Sequence, residues 1–182
     1  NAFIIRWPYK IDANVITDAM IEYVDVIPTL TDLATNTIPD NLDGKSFKAV
    51  LLGQESKHKT HVFGVQTSHN IHFGAPYPIR SVRGVQFKLI HNLIPDNNFS
   101  NILTTSNWFK EELAEEKKSH NDNYVSYIKR QEFELYDMLE DPFEQNNIIN
   151  DQKYSSTVAT LKKELVKWMK QQGDDGIETE MT

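Results

Sequence analysis

The alternation of apolar and polar residues predicts that the second half of the chain forms an antiparallel sheet. Three segments, 61–66, 79–82 and 85–93, have β-compatible residues in strand-like order. Arg83-Gly84 separates the last two and predicts a tight hairpin. A fourth strand is predicted to begin at Glu134 and to end in a turn.

The first sixty residues predict one strand followed by helices. Residues 3–7 form an apolar run, which is typical of a strand buried on both faces of a parallel sheet. Residues 18–34 have the spacing of a helix, and Pro28 within them predicts a kink or break. A shorter helix is predicted over 46–52, ending at Gly53.

The clearest helical pattern lies near the C-terminus. Apolar residues recur on one face over 153–171, with Asp151 as a cap and Gly173 just beyond the end. One apolar face is what a helix needs in order to pack across a sheet. Residues 108–118 predict a helical segment, of which 110–118 form a solvent-exposed face, and 174–182 predict a loose acidic tail.

These elements predict an α/β chain with an α+β C-terminal part. In that part, an antiparallel sheet of about four strands is packed by the C-terminal helix. Because the run at 3–7 has no neighbouring strand, we expect this chain to be a piece of a larger protein, with a linker at 54–60. The expected division is a tag remnant at 1–2, the end of a catalytic domain plus linker at 3–60, a C-terminal domain at 61–173, and the tail at 174–182.

Composition excludes some classes of partner. The formal net charge of −7 argues against nucleic-acid binding, which requires a basic patch. No apolar run approaches the roughly 20 residues that span a bilayer, so no membrane partner is expected. The absence of cysteine excludes disulfides, thiolate zinc sites and cysteine nucleophiles.

A polar segment after the first sheet strand holds the candidate binding residues. His69, Asn70 and Arg80 suit hydrogen bonding to sugar hydroxyls and sulfate oxygens, because arginine offers a planar fork to an oxyanion. The alternative is that Arg80 pairs with a carboxylate within the sheet and His69 caps a turn. His69 and His72 could bind a metal if helical, but Gly74 and nearby prolines favour a loop, so no metal site is predicted.

The most specific sequence signal is the run at 134–147, which reads ELYDMLEDPFEQNN. It resembles the pattern E-L-Y-D-L-x-x-D-P-x-E-x-x-N of the sulfatases of the alkaline-phosphatase superfamily. Residues 3–8 resemble the I-x-R-W-P element of that family, and 25–30 resemble its D-x-x-P-T-L helix. Residues 43–47 are similar to its D-G-x-S-L loop, and 82–90 to its V-R-x-x-x-x-K-L-I hairpin.

Within this superfamily, residues 66–69, 77–82 and 87–93 resemble the heparan N-sulfatases, or N-sulfoglucosamine sulfohydrolases (sulfamidases). The resemblance implies hydrolysis of the N-sulfate of glucosamine in heparan sulfate or heparin. A glycosaminoglycan O-sulfatase is the alternative within the superfamily, whose shared motifs outnumber the branch-specific ones. A non-catalytic carbohydrate-binding module is the alternative from another class.

The resemblance also implies cofactors that this chain does not carry. In the family, a formylglycine made from the Cys or Ser of a C/S-x-P-S-R motif acts with a calcium ion. The chain has no cysteine and no Ser-x-Pro-Ser-Arg. We therefore expect calcium and formylglycine only in the full-length enzyme, and in this fragment no catalytic residue, no metal and no activity alone.

The expected partners also follow from the resemblance. They are a sulfated glycosaminoglycan saccharide, bound with the help of His69, Asn70 and Arg80, and an N-terminal catalytic domain. The bare edge of the strand predicted at 3–7 suggests a possible edge-strand dimer. Export to the periplasm or beyond is expected for a bacterial protein, and the lysosome for an animal one.

Overall fold

The computed structural model describes residues 3–67, 74–119 and 123–181. The chain divides into two compact units, an N-terminal unit up to Val62 and a C-terminal unit from Phe63 onwards. This break lies two residues after the predicted one at residue 60. Within the described residues, no helix is both long enough and apolar enough to cross a membrane.

The N-terminal unit contains two helices. A 3-10 turn over Tyr23–Asp25 leads into helix α1, Val26–Thr35, and helix α2 spans Lys48–Leu51. The first helix therefore begins later than predicted, and the predicted break at Pro28 is wrong. Pro28 is the third residue of α1, where a backbone N–H has no partner within the helix in any case, so proline is tolerated there.

The strand predicted at 3–7 is not formed. These residues have no regular structure, and Ile4 is 90% exposed. A strand needs a hydrogen-bonded neighbour, and the four-stranded sheet of the described residues does not include this segment. The edge-strand dimer expected from this segment stays a prediction.

The segment predicted as a linker instead packs against the N-terminal unit. Its Lys59 ammonium lies 2.8 Å from the buried carboxylate of Asp25, and His58 Nε2 lies 3.3 Å from the other oxygen of that carboxylate. The backbone N–H groups of Glu22 and Lys45 also donate to Asp25, at 2.8 and 2.9 Å. Burial opposes ionisation of Asp25, but Lys59 and these amides outweigh it and hold the pKa of Asp25 below its ordinary value.

The C-terminal unit is built on a four-stranded sheet with neighbours in the order β1-β2-β3-β4. Strands β2 and β3 pair antiparallel, as do β3 and β4, so the predicted sheet is confirmed. The strands are β1 Val62–Gln66, β2 Ile79–Arg83, β3 Phe87–Asn92 and β4 Phe133–Asp137. The helices of this unit are α3 Asn107–Ser119, α4 Asn123–Ile128, α5 Ser155–Gln171 and α6 Ile177–Met181.

Helix α5 packs on one face of the sheet and forms the main hydrophobic core. Leu161 and Leu165 of α5 meet three side chains that share a row across the sheet, Val82, Leu89 and Leu135. All five are at most 4% exposed. The predicted C-terminal end is confirmed, because α5 ends at Gln171 and Gly173 has a positive φ of 67°. Asp151 caps a 3-10 turn, Gln152–Tyr154, and α5 begins after that turn.

The opposite face of the sheet is covered by an aromatic cluster and by Arg130. The cluster consists of rings with centroids 5.4 to 5.7 Å apart, from Tyr77, Phe99, Phe109 and Tyr127. Arg130 lies over the Phe99 ring and binds Glu134 of β4 through Nε and Nη2, at 2.9 and 2.7 Å. Both faces of the sheet are therefore buried, one by α5 and the other by polar and aromatic side chains.

Replacing Tyr77 by Phe is expected to raise the free energy of unfolding by about 1 kcal/mol, because a buried polar atom without a partner costs about that much. The Tyr77 hydroxyl is buried without a hydrogen-bond partner among the described residues, and burial raises its pKa to about 12. Urea denaturation followed by circular dichroism measures the change. The matched control is Tyr127→Phe, which removes a hydroxyl that accepts a 2.9 Å bond from Asn101 and should destabilise by about 1 kcal/mol. Equal losses in both variants would contradict the expectation.

Candidate functional site

Arg80 lies on β2 and is the one predicted binding residue within the described part of the chain. Its side chain is 2% exposed. It points to the α5 side of the sheet, in the same direction as Val82, because alternate strand residues share a face. The acidic residues that follow α5 meet it there. Asp174 and Glu180 lie within 2.5 and 2.8 Å of the guanidinium nitrogens.

All five N–H groups of the Arg80 guanidinium have acceptors. Nε donates to Asp174 Oδ2 at 2.5 Å, and Nη2 donates to Asp174 Oδ1 at 3.3 Å and to Glu180 Oε1 at 2.8 Å. Nη1 donates to the backbone carbonyls of Gln66 and Ile79, at 3.3 and 3.1 Å. Arg80 therefore has no side-chain donor left for a sulfate, and the alternative in which it pairs with carboxylates describes its geometry.

The charges around Arg80 also favour a structural role. Burial opposes its charged form, but the hydrogen bonds to Asp174 and Glu180 outweigh burial and raise the pKa of Arg80 above its ordinary value. The same contact holds the pKa of Asp174 below its ordinary value, against the opposing effect of burial. One cation facing two carboxylates gives the cluster a net negative charge, which disfavours an anionic sugar.

The prediction of a loose tail at 174–182 is wrong, because this segment supplies the Asp174 and Glu180 carboxylates that bind Arg80. Glu180 lies in α6 and is 8% exposed. Its second carboxylate oxygen accepts a 3.0 Å bond from the Thr67 hydroxyl. Arg80 thereby holds the backbone carbonyl of Gln66, and Glu180 holds the side chain of Thr67, where β1 ends.

The other two predicted binding residues, His69 and Asn70, lie outside the described residues, so their role in substrate binding stays a prediction. A small cavity of about 320 Å³ lies beside the Arg80 cluster, and Thr67, Trp168 and Gln172 are among its lining residues. Within the described ranges, no group of three or more His, Asp or Glu side chains is arranged to hold a metal ion.

A larger cleft of about 560 Å³ lies on the opposite face of the sheet. Its floor includes Glu134 and Tyr136 of β4, and its walls come from the segment that carries α3 and α4 and from the turn after β4. Sequence reasoning did not find this cleft, although aromatic residues recur in otherwise polar stretches there. They are Trp108, Phe109, Tyr127, Tyr136 and Phe143.

The family model described as "N-sulphoglucosamine sulphohydrolase, C-terminal" matches residues 1–119, which is more than half of the chain. The chain therefore belongs to this family of sulfatase C-terminal regions.

Two curated relatives illustrate the range of this similarity. An ulvan-active sulfatase of Formosa agariphila is 35% identical over 94% of this chain and 33% of its own length. Human N-sulphoglucosamine sulphohydrolase is 27% identical over 84% of this chain and 33% of its own length. The chain thus spans about a third of the length of these relatives.

Solved sulfatase structures share the fold. A 2-O GAG sulfatase is 26% identical with a TM-score of 0.56, over 83% of this chain and 25% of that one. A protein solved in complex with its substrate D-glucosamine-2-N,6-O-disulfate gives a TM-score of 0.65 at 24% identity, over 95% of this chain and 29% of that one. The predicted fold class is confirmed.

Proposed function

We propose that this chain is the C-terminal part of a sulfatase that removes the N-sulfate of glucosamine in heparan sulfate or heparin. The observation that carries the proposal is the match of residues 1–119 to the C-terminal family of N-sulphoglucosamine sulphohydrolases. The similarity to the human enzyme of that name supports the same substrate.

The reaction centre of the full-length enzyme lies, in this proposal, outside the chain. Calcium and formylglycine would supply electrophilic and nucleophilic chemistry to the sulfate. The described residues contain no carboxylate cluster suited to a cation, and the chain has neither a cysteine nor a Ser-x-Pro-Ser-Arg motif from which formylglycine could form. Catalysis is therefore assigned to the remainder of the protein.

The role of this chain in the proposal is to contribute to substrate specificity. Arg80 does so indirectly, because it binds the backbone carbonyl of Gln66 and also Glu180, which holds the Thr67 hydroxyl, and the segment bearing His69 and Asn70 follows these residues. In this proposal, His69 and Asn70 donate and accept hydrogen bonds with sugar hydroxyls and sulfate oxygens. Arg80 is a positioning residue and does not contact the sugar.

An O-sulfatase is the second candidate function, and two findings favour it. The ulvan-active sulfatase has a higher identity to this chain than the human N-sulphoglucosamine sulphohydrolase. A 2-O GAG sulfatase shares both the fold and 26% of the aligned residues. Under this alternative, the domain would be the same and the position of the removed sulfate would differ.

The test is a desulfation assay on the intact protein, produced with its formylglycine installed. Its substrates are N-sulfoglucosamine, glucosamine 6-O-sulfate and a 2-O-sulfated uronate disaccharide. Sulfate release from N-sulfoglucosamine alone is expected, and release only from an O-sulfated sugar would replace the N-sulfatase proposal by the O-sulfatase one. His69→Ala and Asn70→Ala should raise KM while leaving secondary structure unchanged. Unchanged kinetics in both variants would remove them from the substrate site.

A further inference from the structure

The 560 Å³ cleft on the face of the sheet opposite α5 has the composition of a sugar-binding site. Ligand sites are typically concave and largely apolar, with a few polar groups that fix orientation. This cleft combines aromatic rings with side-chain amides and one cation. The amides are those of Gln131, Gln145 and Asn147, and the cation that pairs with no acidic side chain among the described residues is Lys129.

The floor of the cleft is held rigidly. Arg130 and Glu134 form a bidentate pair with 16% and 4% of their side chains exposed. Asn147 Oδ1 accepts the backbone N–H of Leu135 at 2.9 Å, which fixes the turn segment against β4. Asn101 donates to the Tyr127 hydroxyl at 2.9 Å. A ligand would therefore enter a preformed site and would not need to order these side chains.

Exposed aromatic rings provide apolar contact surface. Trp108 is 55% exposed and Phe143 is 82% exposed, and both line the cleft. Large exposed aromatic side chains in a concave site favour a ligand with apolar surface. A pyranose ring has such a surface on its C–H faces and hydroxyls around its edge, which match the amide groups of the cleft.

The charge of the cleft selects for an anion. Its two acidic lining residues are already paired, Glu134 with Arg130 and Glu144 with the Lys88 ammonium at 2.7 Å. Lys129 is exposed, and no acidic side chain of the described residues pairs with it. Arg130 and Lys88, which lies outside the cleft lining, already match the two carboxylates, so Lys129 is the lining charge that has no counter-ion among the described residues.

We propose that this cleft binds a sulfated sugar unit, with the ring against Trp108 and Phe143 and the sulfate near Lys129. The choice of a sulfated sugar rests on the proposed function, whereas the cleft and its charge do not. The chemistry requires a ring with an apolar face and one anionic substituent. A polymeric substrate could thus be held by the C-terminal unit as well as by the reaction centre.

Calorimetric titration of the full chain with an N-sulfated heparin disaccharide tests the binding. Lys129→Gln should weaken the affinity by roughly fivefold and reduce its dependence on salt, because the lost contact is electrostatic. Trp108→Ala should weaken it by roughly tenfold, with the salt dependence unchanged. The matched control for charge is Lys163→Gln on the exposed side of α5, which should leave the affinity unchanged.

Two comparisons decide the outcome. Lys129→Gln should have little effect on the binding of the same disaccharide without its sulfate. Equal losses for Lys129→Gln and Lys163→Gln would overturn the proposal, as would failure of the unmodified chain to bind the sulfated disaccharide. Circular dichroism of each variant excludes unfolding as the cause of a loss.

Different experimental outcomes would contradict the cleft proposal and the proposed function. If the intact protein desulfates N-sulfoglucosamine but the KM values of Lys129→Gln and Trp108→Ala are unchanged for oligosaccharide substrates, the cleft proposal is wrong and the function stands. If the chain binds the disaccharide in a Lys129-dependent manner but the intact protein desulfates no sugar, the function is wrong and the cleft stands.

Discussion

Replacing Arg80 by methionine is expected to destabilise the C-terminal unit by about 3–5 kcal/mol, because it leaves two carboxylates buried without their cation. The side chains of Asp174 and Glu180 are only 10% and 4% exposed. Methionine keeps an unbranched stem against the sheet and lacks the guanidinium, so the loss reports the removal of its hydrogen bonds and charge. Urea denaturation followed by circular dichroism measures the free energy of unfolding.

The matched control is Arg83→Met. Arg83 lies on the same strand but is exposed, so the same substitution there should change the free energy of unfolding by less than about 0.5 kcal/mol. A third variant, Arg80→Lys, keeps the charge but loses the planar guanidinium, so its free energy of unfolding should lie between those of Arg80→Met and Arg83→Met. Similar stabilities for Arg80→Met and Arg83→Met would show that the buried cluster is not structural.

Replacing Asp25 by alanine is expected to destabilise the N-terminal unit by about 3 kcal/mol. The substitution leaves the backbone N–H groups of Glu22 and Lys45 without their acceptor and leaves Lys59 with Glu22 as its remaining acidic partner. Hydrogen exchange at the amides of α1 and α2 measures the loss within this unit. The control is Asp32→Ala, which breaks a more exposed pair with Lys48 and should destabilise this unit much less. Equal hydrogen-exchange protection of these amides in the two variants would contradict the structural role of Asp25.

The Asp25 contribution should also depend on pH. Because its pKa is lowered in the folded chain, its contribution is complete above the ordinary aspartate pKa of about 3.9 and disappears as the pH falls through the lowered value. Wild type and Asp25→Ala should therefore differ in stability at neutral pH and converge at strongly acidic pH. A difference that is constant across this range would contradict a charged Asp25.

The sheet could be predicted from sequence because its signals are local. Strands β2 and β3 are adjacent in the chain and are joined at Gly84, whose N–H donates to Phe87. The prediction of a strand at 3–7 failed because a continuous apolar run has no periodicity that identifies a strand, and a strand forms only beside a neighbouring strand. The prediction of a loose tail failed for a related reason, since Glu180 is held by Arg80, which lies one hundred residues earlier in the chain.

The candidate site was less predictable than the fold. The sequence predicts Arg80 as a sugar-binding residue with carboxylate pairing as the alternative, and its acidic partners cannot be identified in a sequence in which acidic residues are common. The sequence does not reveal the cleft, because the polar run 110–118 predicts a solvent-exposed helical face. Three aromatic residues in polar stretches, Trp108, Tyr127 and Phe143, were the available signal, and only the fold brings them together.

The most direct test of the account is to map where a sulfated sugar binds this chain. Amide and indole NMR spectra are recorded while an N-sulfated heparin disaccharide is added to the full chain. The account predicts shifts concentrated at the Trp108 indole and at the amides of Lys129 and Gln145, with little change at Arg80 and Asp174. Shifts at Arg80 and Asp174 without any in the cleft would contradict both the cleft and the structural role of Arg80.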